Sequence, residues 1–198
     1  MAVYFKGKYL IPSTRLQYWD YSSDGWYFIT ICTKNREQCF GSIQNGSMVS
    51  SKIGNIVVRY WNTIPNHFSF VQLDAFVVMP DHVHGILIID HNDVGDNNPH
   101  VVETRQCLVS TNMNANVNMD TNIGKNRFQN QGKNTISSII GSYKAICTKM
   151  INKLPVIKCF AWQSRFHDHI IRTDIELNNI RAYIKNNPLH WELKKNKR

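Results

Sequence analysis

The sequence of 198 residues is 42% hydrophobic and 11% aromatic, which is enough apolar material for one folded domain with a buried core. Its 23 lysines and arginines against 14 aspartates and glutamates give a net charge of +9, which favours a polyanionic partner, nucleic acid first and an anionic membrane surface second. No apolar run approaches the roughly 18 residues of a membrane span, residues 1–12 lack an apolar signal core, and the five cysteines contain no Cys-x-x-Cys pair. These observations argue against a membrane protein and a zinc ribbon, and we expect a single cytoplasmic domain over residues 1–198.

Several segments are rich in β-branched and aromatic residues, which is typical of strands. They are residues 26–33, 39–43, 47–49, 73–79 and 83–89. The second and third of these segments are joined by Asn-Gly, the dipeptide that tight hairpin turns favour, so we expect a hairpin there. Shorter extended segments are predicted on the C-terminal side, at 162–166 and 169–171.

Two segments have apolar residues at helical spacing. The first runs from Ile53 to Ile64, and Pro65 is expected to end it. The second covers about residues 135–154, where isoleucines and other apolar residues form one stripe along the predicted helix. A stripe of this kind predicts that each helix packs against the sheet with one face.

A third helix has the clearest start signal in the sequence. Thr173 and Glu176 have the spacing of a capping box, in which Thr173 is the N-cap and Glu176 occupies the third helical position. Proline disfavours helical geometry at the residue before it. We therefore expect this helix to end near Asn187, just before Pro188.

Residues 91–134 differ in composition from the rest of the chain. They contain eleven asparagines and almost no aromatic residues, so they cannot bury enough apolar surface to order themselves. We expect a long flexible insertion between a strand and a helix. The order of the remaining elements is not a strict alternation of strand and helix, and it indicates an α+β fold, an antiparallel sheet with helices on one face.

The motif His82-Val83-His84 is the most informative polar feature of the sequence. Residues two apart in a strand point to the same face, so both imidazoles would project together while Val83 faces the core. Two adjacent imidazoles form half of a site for a divalent metal. The alternative is two polar residues on the solvated face of a strand. A second pair, His167 and His169, could contact a DNA backbone or could lie in a loop without a special role.

Tyr183 and Asn187 lie four residues apart on the last predicted helix and therefore share one face. A tyrosine hydroxyl can act as a nucleophile when a base or a metal activates it. The amide oxygen of Asn187 could complete a metal site made by two histidines. The alternatives are an aromatic side chain at the rim of the core and a residue that closes a helix.

Cationic residues are concentrated toward the C-terminus, where aromatic residues alternate with them. Cations that bind phosphates and rings that stack on bases are typical of single-strand binding. The alternative is a solvated basic surface. The residues that we expect to bind nucleic acid are Arg165, His167, Arg172, Arg181 and Lys185.

Four segments together resemble the single-tyrosine HUH transposases, and within them the REP-associated tyrosine transposases. HUH denotes histidine, a hydrophobic residue and histidine. The segments are YFITICTK at 27–34, AFVVMPDHVHGILII at 75–89, WQSRFHDHIIR at 162–172 and IRAYIKNNPLHW at 180–191. The resemblance covers most of residues 26–191 apart from the insertion.

This resemblance implies a ferredoxin-like (RRM-like) α+β core with the histidine pair on a central strand. It implies that Tyr183 is the nucleophile and that His82, His84 and Asn187 hold a divalent metal, Mg²⁺ or Mn²⁺. The family commonly has Asn at the position of Asp81. Aspartate is a mild departure from that pattern, and its carboxylate could alter the affinity for the metal.

The resemblance also implies the reaction and its setting. The substrate would be single-stranded DNA, with a hairpin beside the cleavage site, and the intermediate would be a 5′-phosphotyrosine. Such proteins are cytoplasmic and nucleoid-associated in bacteria, and a homodimer is possible because relatives include dimers. The alternatives are a catalytically silent single-stranded DNA-binding protein, an HUH nickase of the replication or conjugation type, and a metal-dependent hydrolase.

Overall fold

The computed structural model describes residues 4–5, 8–9, 19–93, 132, 134–155 and 159–195. Its elements in chain order are β1 (Tyr4–Phe5), β2 (Lys8–Tyr9), β3 (Gly25–Cys32), β4 (Gly41–Gln44), β5 (Ser47–Ser50), α1 (Lys52–Asn62), α2 (Ile64–His67), β6 (Val71–Val78), β7 (His82–Ile89), α3 (Ile136–Ile151), β8 (His167–Ile171) and α4 (Asp174–Lys195). Short 3-10 turns follow β3 and β7, at Lys34–Arg36 and His91–Asp93. Among the described residues, no helix combines the length and the apolar character that crossing a bilayer would need.

Four of the strands form an antiparallel sheet in the spatial order β6-β7-β3-β8. Along the chain they alternate with helices as β3-α1-β6-β7-α3-β8, which is the β-α-β-β-α-β order of ferredoxin-like folds. The structure confirms the predicted α+β class and the antiparallel sheet. It also confirms that the histidine pair lies on a central strand, because β7 begins at His82 and runs between β6 and β3.

Helices α1 and α3 cover one face of the sheet. The alternate residues Tyr27, Ile29 and Ile31 of β3 point to this face and are fully buried in the main hydrophobic core. Helix α1 begins after Ser51, whose hydroxyl oxygen accepts a hydrogen bond of 3.1 Å from the backbone N–H of Ile53. The sequence prediction of helices packed on one face is correct for these two helices.

Helix α4 packs on the opposite face and forms a second, smaller core. There Ile86 of β7 and Ile171 of β8 contact Leu177 and Ile184 of the helix. The sheet can bury both faces because β7 is apolar on both sides, with Ile86 toward α4 and Leu87 toward the main core. The described helices are therefore divided between the two faces, and the histidine pair lies on the face of α4.

Helix α4 also continues past Pro188 to Lys195, so the predicted end near Asn187 is wrong. Proline removes one backbone hydrogen bond from a helix interior. Here the last two turns are held by tertiary contacts instead, since the backbone N–H of Gly46 in the β4–β5 turn donates to Glu192 Oε2 at 2.6 Å. Packing between distant parts of the chain therefore outweighs the tendency of Pro188 to end the helix.

Two other predictions, the Asn-Gly hairpin turn and the end of α1 at Pro65, have different outcomes. Asn45 and Gly46 have φ angles of 51° and 70°, and they connect β4 to β5 as the predicted hairpin turn. Helix α1 ends at Asn62, earlier than predicted, and Pro65 lies in the first turn of α2. Proline is well suited to a first helical turn, where its missing N–H would have no intrahelical partner.

The asparagine-rich segment falls almost entirely outside the described residues, which exclude 94–131 and 133. The expected flexible insertion therefore stays a prediction. At its N-terminal end, His91 Nδ1 lies 2.6 Å from Asp24 Oδ1 in an exposed contact near the start of β3.

Gly85 in the middle of β7 provides a test of the packing between the sheet and α1. A Cβ atom at Gly85 would lie 2.2 Å from Cζ2 of Trp61, whose ring stacks on Phe76 at a centroid distance of 4.7 Å. We expect Gly85→Ala to lower the free energy of unfolding by about 1–3 kcal/mol, because the overpacked core must shift. Urea denaturation followed by circular dichroism measures this change.

The control is the same substitution in a Trp61→Phe background. The smaller ring removes the clashing atom, so Gly85→Ala should cost less stability there than in the wild-type background. An equal loss in both backgrounds would contradict the assigned contact between Gly85 and Trp61.

Candidate active site

The imidazoles of His82 and His84 lie side by side on the α4 face of β7. Their Nε2 atoms are 3.1 Å apart, and each residue is only 5% exposed. Val83 between them points to the main core on the opposite face. The two histidines therefore point the same way, as predicted. The alternative, a solvated strand face, would leave them exposed, whereas both are buried.

The outer nitrogens of both rings have hydrogen-bond partners. His84 Nδ1 lies 2.8 Å from the hydroxyl of Thr30, which is opposite His84 in the register of β3 and β7. His82 Nδ1 contacts the carboxylate of the buried residue Asp81. A carboxylate accepts hydrogen bonds, so this contact favours the His82 tautomer with its proton on Nδ1 and a free lone pair on Nε2.

Burial and the neighbouring His82 ring lower the pKa of His84 to about 3. His84 is therefore a neutral imidazole at physiological pH. The neutral form is the one that ligates metals, and so weak a base is a poor acceptor for a tyrosine proton. The electrostatics of the site favour a ligand role for His84 over a role in general base catalysis.

Tyr183 of α4 reaches the histidine pair within the same chain. Its hydroxyl oxygen lies 3.4 Å from His84 Nε2, and the residue remains 45% exposed. Phe28 of β3 supports both rings, stacking on His84 at a centroid distance of 5.3 Å and meeting Tyr183 edge-on at 6.1 Å. The phenol therefore has one side against the histidines and another open to an incoming ligand.

Asn187 lies on the same helix between two residues that contact the histidine pair. Tyr183, four residues earlier, contacts His84, and Trp191, four residues later, lies 5.7 Å from the ring of His82. Asn187 itself is buried. These three positions follow one side of α4, so the side of the helix that carries Asn187 crosses the pair.

The residues present fit a divalent cation. The Nε2 atoms of His82 and His84 lie 3.1 Å apart, a separation that two ligands of one cation can have and that an N–H···N hydrogen bond between the rings also gives. Imidazole nitrogen suits borderline metals and amide oxygen suits hard ones, so this donor set is compatible with Mn²⁺ or Mg²⁺. Within the described ranges, no three His, Cys, Asp or Glu side chains come together as a metal site. The candidate third donor is the amide of Asn187.

The residues predicted to bind nucleic acid have two kinds of surroundings. Arg165, His167, Arg172 and Lys185 are exposed. Arg181 is half-buried, where it pairs with the carboxylate of Asp74 on β6 through Nε at 3.0 Å and lies over the ring of Trp26 at 5.5 Å from its centroid. Its guanidinium therefore also holds α4 against the sheet.

An open groove of about 740 Å³ runs between β8 and α4 and ends at Tyr183. Phe28, His167, Arg172 and Ile180 are among the residues that line it. The groove combines apolar surface with cationic and titratable side chains directly beside the phenol. Phe28 and Tyr183, which line the groove, also contact His84.

His169, the other member of the second histidine pair, has a structural contact. Its Nε2 lies 2.6 Å from Glu176 Oε1, and the backbone N–H of Arg172 donates to Glu176 Oε2 at 2.9 Å. These two contacts, the backbone bond first, lower the pKa of Glu176. Thr173 Oγ1 accepts from the backbone N–H of Glu176 at 3.2 Å, so Thr173 is the N-cap as predicted. The cluster fixes the start of α4.

Sequence reasoning did not assign three residues of this site. Thr30 could have been found from the alternation along β3, because residues 28 and 30 lie on the same face of that strand, the face toward the histidine pair. Trp191 follows Asn187 by four residues, but the helix was expected to end before it. Arg36 pairs with the carboxylate of Asp81 beside His82, and no local pattern predicts this contact because the two residues lie 45 positions apart.

No protein-family model matches this chain. A protein of Haemophilus influenzae, described as uncharacterized, is 36% identical over 181 residues, which cover 91% of this chain and 89% of that protein. A REP-associated tyrosine transposase bound to a REP hairpin is 18% identical with a TM-score of 0.48, covering 90% of this chain and 74% of that one. A candidate transposase from Deinococcus radiodurans R1 is 16% identical with a TM-score of 0.41, covering 88% of this chain and 97% of that one. The chain therefore belongs to the same family as the Haemophilus influenzae protein.

Proposed function

We propose that this protein is a single-tyrosine HUH transposase that cleaves and rejoins single-stranded DNA. The observation that carries the proposal is the convergence of Tyr183 with the buried histidine pair, 3.4 Å from His84 Nε2, across 99 positions of the chain. Binding of DNA alone would not need a phenol beside two buried imidazoles. The four sequence segments that resemble this family contain the same residues.

The proposed cleavage step uses Tyr183 as the nucleophile. Its hydroxyl oxygen attacks the scissile phosphorus, a new P–O bond to the tyrosine forms, and the bond from phosphorus to the 3′ oxygen breaks. The products are a 5′-phosphotyrosine and a strand with a free 3′-hydroxyl, which takes up a proton. The phenol proton can pass to solvent because Tyr183 is 45% exposed. Attack by the 3′-hydroxyl of a second strand reverses the step and rejoins DNA without ATP.

In this proposal His82, His84 and Asn187 hold a divalent cation, which when bound would polarise a non-bridging oxygen of the scissile phosphate. The chain's own residues supply the geometry. Thr30 orients the His84 ring through its hydrogen bond of 2.8 Å, and Phe28 packs against both His84 and Tyr183. Because Tyr183 reaches His84 of its own chain, with its hydroxyl oxygen 3.4 Å from Nε2, we propose that it acts in cis.

The groove beside Tyr183 is the proposed path of the DNA strand. Arg172 and His167 on its walls can contact phosphates, while Phe28 and Ile180 offer apolar surface to unstacked bases. A single strand can place one phosphate against the phenol, whereas a duplex would keep its bases stacked and paired. The net charge of +9 supports attraction of such a strand. We propose that a hairpin lies beside the cleavage site.

Tyr183→Phe should abolish formation of the covalent adduct and leave DNA binding largely intact, because it removes one hydroxyl from an exposed ring. The measurement mixes protein and Mn²⁺ with labelled single strands from the DNA flanking its own gene, and then separates adducts on a denaturing gel. Tyr60→Phe is the matched control, since Tyr60 lies on α1 at the other face of the sheet.

A labelled protein band for wild type and Tyr60→Phe, absent in Tyr183→Phe, is the expected result. An adduct that persists in Tyr183→Phe would contradict the assignment of the nucleophile. Tight binding on a native gel without any adduct in wild type would favour a silent single-stranded DNA-binding protein.

Asn187→Ala should weaken binding of Mn²⁺ by about tenfold or more, because even indirect partners of a metal site contribute that much affinity. Asn186→Ala is the matched control, because it removes the same side chain from the adjacent position, which is exposed, whereas Asn187 is buried. Electron paramagnetic resonance of free Mn²⁺ measures both affinities without DNA. Equal Mn²⁺ affinity in the two variants would exclude Asn187 as a ligand.

A further inference from the structure

We propose that Asp81 is a positioning residue of the site: its carboxylate, held by Arg36, fixes the ring orientation and tautomer of His82 and so strengthens cation binding by the pair. This inference rests on the ligand role of His82 and His84 in the proposed function. It assigns a purpose to a buried carboxylate, 4% exposed, that the proposed cleavage chemistry does not use directly.

The backbone of Asp81 is fixed independently of its side chain. The backbone N–H of Thr33 donates to the Asp81 carbonyl oxygen at 2.9 Å, and the Thr33 hydroxyl lies between this oxygen at 3.0 Å and the Glu37 carbonyl oxygen at 2.9 Å. The preceding carbonyl, that of Pro80, accepts from the backbone N–H of Phe40 at 3.0 Å. The turn between β6 and β7 therefore presents the Asp81 carboxylate from one rigid position.

Both carboxylate oxygens of Asp81 are engaged. Oδ1 accepts from His82 Nδ1, and Oδ2 lies 3.1 Å from Nε of Arg36. The Asp81 side chain is 5% exposed and that of Arg36 is 47% exposed, so the guanidinium compensates a buried charge from the rim of the site. With one oxygen held by Arg36, the other keeps a single orientation toward His82.

The conformation of the turn after β3 brings Arg36 to this position. Asn35 and Arg36 have φ angles of 54° and 58°, in the left-handed region that non-glycine residues rarely occupy. The guanidinium also contacts the sulfur of Cys32, with Nη1 at 2.7 Å from Sγ. Strained backbone of this kind persists where the surrounding structure holds it and is concentrated at functional sites.

The consequence is a chain of contacts from Arg36 through Asp81 to His82 that ends at the point where the two Nε2 atoms meet. A carboxylate behind a ligating histidine fixes its tautomer and makes it a better ligand, and removal of such a partner typically costs about 10–100-fold in metal affinity. Thr30 gives His84 a neutral partner only. We therefore expect His82 to depend on its carboxylate partner more than His84 depends on Thr30.

The first experiment measures the tautomer of His82 in the metal-free protein by ¹⁵N NMR of the imidazole nitrogens. Wild type should carry the proton on Nδ1, and Asp81→Ala should shift the population toward the Nε2-protonated form. Asp24→Ala is the matched control, because Asp24 contacts His91 Nδ1 at 2.6 Å in an exposed pair outside the site. It should change the His91 signals and leave those of His82 unaltered.

The second experiment measures Mn²⁺ affinity by electron paramagnetic resonance on the same proteins. Asp81→Ala should bind about 10–100-fold more weakly than wild type, and Asp81→Asn, which keeps an acceptor but loses the charge, should lie between them. Asp24→Ala should match wild type. A role in folding alone would lower the melting temperature of Asp81→Ala without moving the His82 tautomer.

A His82 ring that carries its proton on Nε2 in wild type would overturn the proposal, and this measurement needs no variant to fold. Mn²⁺ affinity of Asp81→Ala within about threefold of wild type would overturn it as well, since a partner of a ligand should contribute more. A wild-type protein that binds no Mn²⁺ would contradict the proposed function instead. The tautomer would then still decide whether Asp81 positions His82.

Discussion

The register of β7 against β3 is the constraint on which the site depends. Antiparallel pairing places His84 opposite Thr30 and His82 opposite Cys32, so that both imidazoles share a face with their partners on β3. A slip of one residue would turn both histidines into the main core and bring Val83 to the α4 face. The burial of Val83 and Leu87 in the main core disfavours that slip, because it would turn both apolar side chains away from the core and bring the imidazoles into their place. The hydrophobic core therefore sets the geometry of the polar site.

Helix α4 completes the site because it is attached near both ends. Glu176 holds its first turn through contacts with the backbone of Arg172 and with His169, and Glu192 holds its last turns against the β4–β5 hairpin. Between these attachments lies the side of the helix that bears Tyr183, opposite the histidine pair. Arg181 adds a third connection, to β6. The candidate nucleophile is thus positioned by contacts that are separate from the proposed chemistry.

Charged groups at the surface and groups in the interior have different electrostatic environments. The sequence has a net charge of +9, and the cationic residues Arg165, Arg172 and Lys185 are exposed. The histidine pair is buried, and His84 is neutral because burial and His82 lower its pKa to about 3. The buried carboxylate of Asp81 is balanced by Arg36 at the rim. Exposed cationic groups therefore lie outside, while the two imidazoles face each other inside. The proposed function uses this separation, with a phosphate chain bound outside and a cation within.

Features that follow from backbone periodicity could be predicted from the amino-acid sequence alone. Alternation along β7 predicted that His82 and His84 point the same way, and the spacing of Thr173 and Glu176 predicted the start of α4. The sequence could not determine which face of the sheet α4 occupies, because both sides of β7 are apolar. It also could not show that the helix would pass Pro188, because Gly46, the partner of Glu192, lies 146 positions away. The contacts of Asp81 with Arg36 and of Arg181 with Asp74 were hidden for the same reason. Local spacing is set by the geometry of one strand or helix, whereas long-range packing, which decides which side chains meet, exists only in the folded chain.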